Sequence, residues 1–63
     1  MPKSYLVYMM CLTKRRFYLC EKDHWFPIRD QARCFAEAEA RYHATRFRPK
    51  LNDGWIVGIE ELV

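Results

Sequence analysis

Residues 5–12 read YLVYMMCL, residues 13–16 read TKRR and residues 17–22 read FYLCEK. Two runs rich in aromatic, β-branched and large apolar side chains, separated by a polar stretch, read as a β-hairpin. The connection holds neither Asn-Gly nor Asp-Gly. A four-residue loop over Thr13–Arg16 is therefore expected in place of a tight primed turn. That loop sets Leu12 opposite Phe17, Met10 opposite Leu19 and Met9 opposite Cys20. Lys22-Asp23-His24 reads as a second turn, and Trp25-Phe26 as a short extension stopped by Pro27.

Beyond the hairpin the pattern turns helical, from Asp30 to Phe47. Asp30 suits an N-cap, AEAEARYHA is rich in helix formers, and Glu37 stands four residues ahead of Arg41 in the favourable order. Pro49 prevents continuation, and Arg46 and Arg48 complement the negative end of the helix dipole. Ala36, Ala40, Ala44 and Phe47 form a narrow stripe suited to close approach to a sheet. Phe35, Ala38 and Tyr42 form a second apolar strip, which implies a helix wedged between two surfaces or broken near Cys34-Phe35. Asn52-Asp53-Gly54 reads as a turn and residues 55–60 as a last strand. The expected fold is α+β: a three-stranded, antiparallel-type sheet in the order β-β-α-β, with one helix packed on one face.

Composition bounds the rest. Sixty-three residues at 7.7 kDa make one small domain over residues 1–63, and 51% apolar residues exclude a disordered or low-complexity chain. The net charge is +3, with six Lys/Arg against two Asp/Glu in residues 1–29 and five against six in residues 30–63. The basic front half falls short of a dedicated nucleic-acid binder. The apolar run Tyr5–Leu12 is too short to span a bilayer and lacks the marks of a secretory signal, so no membrane contact is expected. Three cysteines without a CxxC motif fit a reducing compartment, and the expected location is cytoplasmic.

A sheet covered by one helix should alternate apolar-in and polar-out. The first strand does not, because Tyr5, Val7, Met9 and Cys11 are as apolar as Leu6, Tyr8, Met10 and Leu12. No second helix is available to cover the spare side. The expected partner-binding surface is therefore Tyr5, Val7, Met9, Tyr18 and Trp25, either for another protein or for a homodimer.

Catalytic and metal chemistry find little support. Cys20, His24, Cys34 and His43 could offer two thiolates and two imidazoles to zinc. On a helix, however, Cys34 and His43 would lie about 180° apart. No metal or cofactor is expected. The only glycines, Gly54 and Gly58, exclude a phosphate-cradling loop, and nothing completes a Cys/His nucleophile, so no enzyme is expected. Basic residues gather at Lys14, Arg15 and Arg16 and again at Arg46, Arg48 and Lys50, where they could contact phosphates while neighbouring aromatics stack on bases.

From residue 5 to residue 62 the chain resembles the very small ββαβ proteins of bacteriophages and mobile elements. Those proteins carry a hairpin, an aromatic after a polar turn (Asp23-His24-Trp25) and a D-x-A-[KR]-x-F segment (Asp30-Gln31-Ala32-Arg33-Cys34-Phe35). A short Glu/Ala helix (Glu37–Ala44) and a closing strand follow. Ala36 stands where such proteins usually place a capping Ser or Thr. The resemblance implies a non-catalytic accessory protein that inhibits a host protein or nucleoprotein complex, in the manner of anti-CRISPR proteins. The alternative is a small basic nucleic-acid-binding or regulatory module.

Overall fold

The computed structural model describes residues 3–50 and 54–62. The chain is α+β, with four antiparallel strands and one helix in the described residues: β1 (Ser4–Met10), β2 (Arg16–Leu19), β3 (Trp25–Phe26), α1 (Glu37–Phe47) and β4 (Ile56–Leu62). The sheet order is β3-β2-β1-β4. The fourth strand is the Trp25-Phe26 extension, which pairs with β2 through Tyr18–Phe26 and Leu19–Trp25. Its hairpin closes at Glu21–His24, where His24 N–H donates to the Glu21 carbonyl at 3.3 Å. Cys20 N–H donates to the His24 carbonyl at 2.7 Å, so the loop is the three residues Glu21–Asp23, in which Lys22 and Asp23 both take the left-handed conformation at φ near 60°.

The first hairpin differs from expectation in register. Tyr8 pairs with Tyr18, Met9 with Phe17 and Met10 with Arg16. The connection is Cys11–Arg15, with Lys14 at φ 64°, and not Thr13–Arg16. An odd loop in place of an even one moves every side chain of β2 to the other face relative to β1. Phe17 and Leu19 therefore join Tyr5, Val7 and Met9, while Arg16 and Tyr18 join Leu6, Tyr8 and Met10. Leu12, expected inside, lies beyond β1 and is 84% exposed. Cys20, Glu21 and Lys22 also fall outside the strand, in the turn that leads to β3.

The helix starts at Glu37, not at Asp30. Asp30 lies in a 3-10 turn over Arg29–Gln31, after which Ala32 is extended. The backbone has a better use for residues 33–35 than a helix. Where β2 leaves β1, Phe35 and Tyr5 exchange two hydrogen bonds of 2.8 Å, and Arg33 N–H donates to the Leu19 carbonyl at 3.1 Å. These bonds satisfy an edge that would otherwise be orphaned, and they bury Phe35. Of the alanine stripe, Ala40 and Ala44 are buried, Phe47 is half-buried and Ala36 is exposed.

The core sits between α1 and the sheet: Val7, Leu19, Phe35, Ala40, Ala44 and Val57, flanked by Tyr5, Trp25, Phe47 and Ile59. Small alanines let the helix approach closely, and each fully buried aliphatic side chain contributes about 2 kcal/mol. β4 pairs along the whole of β1, from Ser4–Leu62 to Met10–Ile56. The Asn52-Asp53 part of the expected turn lies outside the described residues. Gly54 follows it at φ 88°, with the Leu12 side chain leaning over its Cα.

Candidate functional site

Pairing register assigns the helix-free face to Leu6, Tyr8, Met10, Arg16, Tyr18, Phe26, Ile56, Gly58, Glu60 and Leu62. At one end this face is closed. The Arg29–Gln31 turn packs against β2. From there Arg29 reaches across β1 to Glu60 on β4, donating through Nε at 2.7 Å. Leu6 and Tyr18 lie beneath that crossing and are buried. Glu60 also accepts from Arg16 Nη1 at 3.0 Å and from the Tyr18 hydroxyl at 3.3 Å. One carboxylate thus ties two guanidinium groups and a phenol, leaving a local charge of +1. Its hydrogen bond to Arg29 further favours that guanidinium's charged form.

The other end, toward the first hairpin's tip, is open. Arg16, Met10 and Ile56 form a row across three strands, and Ile56 is 52% exposed. Behind that row the Tyr8 ring lies over Gly58; a Cβ at Gly58 would fall 2.9 Å from the Tyr8 hydroxyl oxygen. Gly58 is the residue that lets the ring lie flat on its strand neighbour. The Arg16 guanidinium sits 4.5 Å from the Tyr8 ring centroid, a cation–π contact that holds the planar fork in one orientation. Lys14 and Arg15 project from the tip beside this row, both exposed.

The expected partner-binding residues do not share one open face. Val7 is fully buried under the helix, and Tyr5 and Trp25 pack against the same core, Trp25 edge-on to Phe47 at 5.2 Å. Met9 lies on the helix side between Phe17 and Val57 and is half-buried. Tyr18 alone of the five is on the helix-free face, and it is buried. The corrected register is the cause. The surface that sequence reading missed is Tyr8, Met10 and Ile56, beside Arg16, which that reading places only in the basic tip cluster. Its only advance sign was the second apolar set in β1, which the even loop assigned to the core.

The two basic clusters divide by role. Lys14, Arg15 and Arg16 are all exposed, and Arg16 alone of the three is oriented, by Tyr8 and Glu60. Arg46 pairs with Asp23 at 2.9 Å and lies over the Phe47 ring at 4.3 Å. That contact holds the Asp23 carboxyl below its ordinary range, chiefly through the Arg46 hydrogen bond. Arg48 and Lys50 are exposed at the C-terminal end of α1.

Among the described residues no three His, Cys, Asp or Glu side chains converge into a metal-binding group. Cys20 is buried and Cys34 exposed. Cys11 is hydrogen-bonded to Thr13 at 2.8 Å, which lowers its thiol from the ordinary value. A shallow groove of about 380 Å³ between Cys20, Phe26 and Ala32 brings one thiol, one carboxylate and one guanidinium to its rim. No described helix is long and apolar enough to cross a membrane. Comparison with protein-family models, with curated proteins and with solved structures finds no match.

Proposed function

We propose that this chain is a non-catalytic binding protein whose partner contact is the open end of the helix-free sheet face. The observation that carries this reading is the Arg16–Met10–Ile56 row with Tyr8 behind it. An apolar strip lies uncovered on a structured sheet, beside an arginine whose fork is held in place by an aromatic ring and a carboxylate. Tyr, Arg and Met are enriched at the centres of protein interfaces, and a preoriented side chain loses little entropy on docking. The resemblance to small mobile-element proteins suggests what such a contact would do: occupy a surface of a host protein or nucleoprotein complex and block it, as anti-CRISPR proteins do, inside the cytoplasm.

The second reading, nucleic-acid binding, draws on Lys14 and Arg15 beside an aromatic sheet face. Glu60 weighs against it, because it neutralises one of the two arginines where bases would stack, and Tyr18 is buried. A salt titration with single-stranded RNA and with duplex DNA separates the two. A protein-directed binder has negligible affinity at about 150 mM salt, whereas a phosphate binder has measurable affinity that falls steeply with salt. The companion variant Met10→Ser/Ile56→Ser should keep the wild-type circular dichroism and lose the captured host partner. Tight, salt-sensitive RNA binding that Lys14→Ala/Arg15→Ala abolishes would transfer the function to the second reading.

A further inference from the structure

The outer edge of β4 has no strand beside it among the described residues, and backbone geometry identifies which groups it presents. Tyr5 directs both its N–H and its C=O toward Phe35, away from β4. In an antiparallel ladder these directions alternate, so Leu6, Tyr8 and Met10 turn theirs toward β4. Their partners Glu60, Gly58 and Ile56 face inward in return. Val57, Ile59 and Glu61 therefore direct their N–H and C=O groups outward, three donors and three acceptors on one edge. Above that edge a groove of about 350 Å³ runs between β4 and α1, lined by Arg41, Ala44, Thr45, Arg48, Gly58 and Ile59.

We infer that the occupant of this edge is a second copy of the chain, paired antiparallel through β4 about a two-fold axis at Ile59. In that register Ile59 meets its own counterpart, Val57 meets Glu61, and six backbone hydrogen bonds form. All seven residues of β4 overlap. On the helix-free face Ile56, which is 52% exposed, meets Leu62 of the second copy, apolar against apolar. Registers centred on Glu60 or Glu61 would set like charges directly opposite and are disfavoured. On the helix side Glu61 of each copy, which within its own chain makes an exposed 3.1 Å ion pair with Lys3, turns its carboxylate into the other's groove beside Arg48, which has no carboxylate partner among the described residues; Arg41 is already paired with Glu37. The helices do not collide. α1 rests over β1 and β4, so two to three strand spacings, roughly 10–14 Å, separate the two axes, at or beyond the 8–10 Å of directly packed helices.

Sedimentation of the full chain from about 1 to about 200 µM tests this arrangement, the expected mass rising toward twice 7.7 kDa. Glu61→Pro removes an outward donor while sparing the β1 ladder, and should weaken the dimer at least about tenfold with circular dichroism unchanged. Should that variant fail to fold, charge reversal decides instead. Glu61→Arg and Arg48→Glu each weaken association, and the double variant restores it. A chain that stays monomeric across the range overturns the inference. So does a dimer indifferent to both Glu61→Arg and Arg48→Glu, or one that Tyr8→Ser dissociates while these leave it intact.

Discussion

Arg46 donates to His43 Nδ1 at 3.1 Å as well as to Asp23. A guanidinium has only donors, so that nitrogen must accept and the imidazole is neutral. The His43 ring also packs against Phe35, tilted, at 4.9 Å and edge-on to Tyr42 at 5.3 Å between centroids. Burial, first, and the adjacent Arg46 charge, second, lower its pKa from the ordinary 6.5. The linkage sign follows. The unfolded chain takes up a proton near pH 6.5 while the folded chain resists it, so protonation favours unfolding. Stability from His43 is present above the unfolded value and is lost as pH falls from there through the folded one. Thermal unfolding at about pH 7.5 and about pH 5.5, on either side of the ordinary imidazole range, should show the wild type losing more than His43→Gln does. Equal losses would mean that His43 is solvated and that the Arg46 contact does not form.

At the scale of elements, α1 begins without a side-chain cap. Ala36 occupies the N-cap position with φ −68° and ψ 160°, the extended geometry that a capping residue adopts, and its side chain is exposed. Ala36→Asp should supply the missing acceptor and place a negative charge at the positive end of the helix dipole. The expected gain is about 1 kcal/mol, or roughly 4–8 °C in a domain of this size. An unchanged melting temperature would place the helix start elsewhere. The helix core, the turn at Lys22–His24 and the closing strand were legible because each rests on local chemistry: alanine and glutamate runs, a polar cluster, a β-branched run after glycine. The helix start was not. Asp30 is a favoured capping residue type, and the distant Tyr5 edge draws residues 33–35 into extended pairing instead. Register was equally illegible, because Cys11 and Arg16 suit strand or loop alike, and their placement decides whether the Val7 face or the Leu6 face of β1 joins Leu19 under the helix.

For the whole molecule, that single parity decides which face is core and which is surface. A domain of this length has a total stability of only a few kcal/mol, so a misplaced polar group on the core side is close to unfolding it. Val7 is fully buried between the helix and the sheet, and Leu12, at 84% exposed, contributes almost nothing to that core. Val7→Ser removes two methyl groups from a closed site and buries a hydroxyl, costs that together reach about 2–4 kcal/mol. Leu12→Ser, on the exposed loop beyond β1, should stay within about 0.5 kcal/mol of wild type. Urea denaturation of the two variants side by side gives the answer, provided the m-value is unchanged in each. The even-loop register requires the opposite order, with Leu12 under the helix and Val7 facing out. A Leu12→Ser protein that unfolds beside a stable Val7→Ser protein would therefore restore Tyr5, Val7 and Met9 as the open face. With the expected order, the odd loop holds and the open face is that of Tyr8, Met10, Arg16 and Ile56, on the side of the sheet that the helix does not reach.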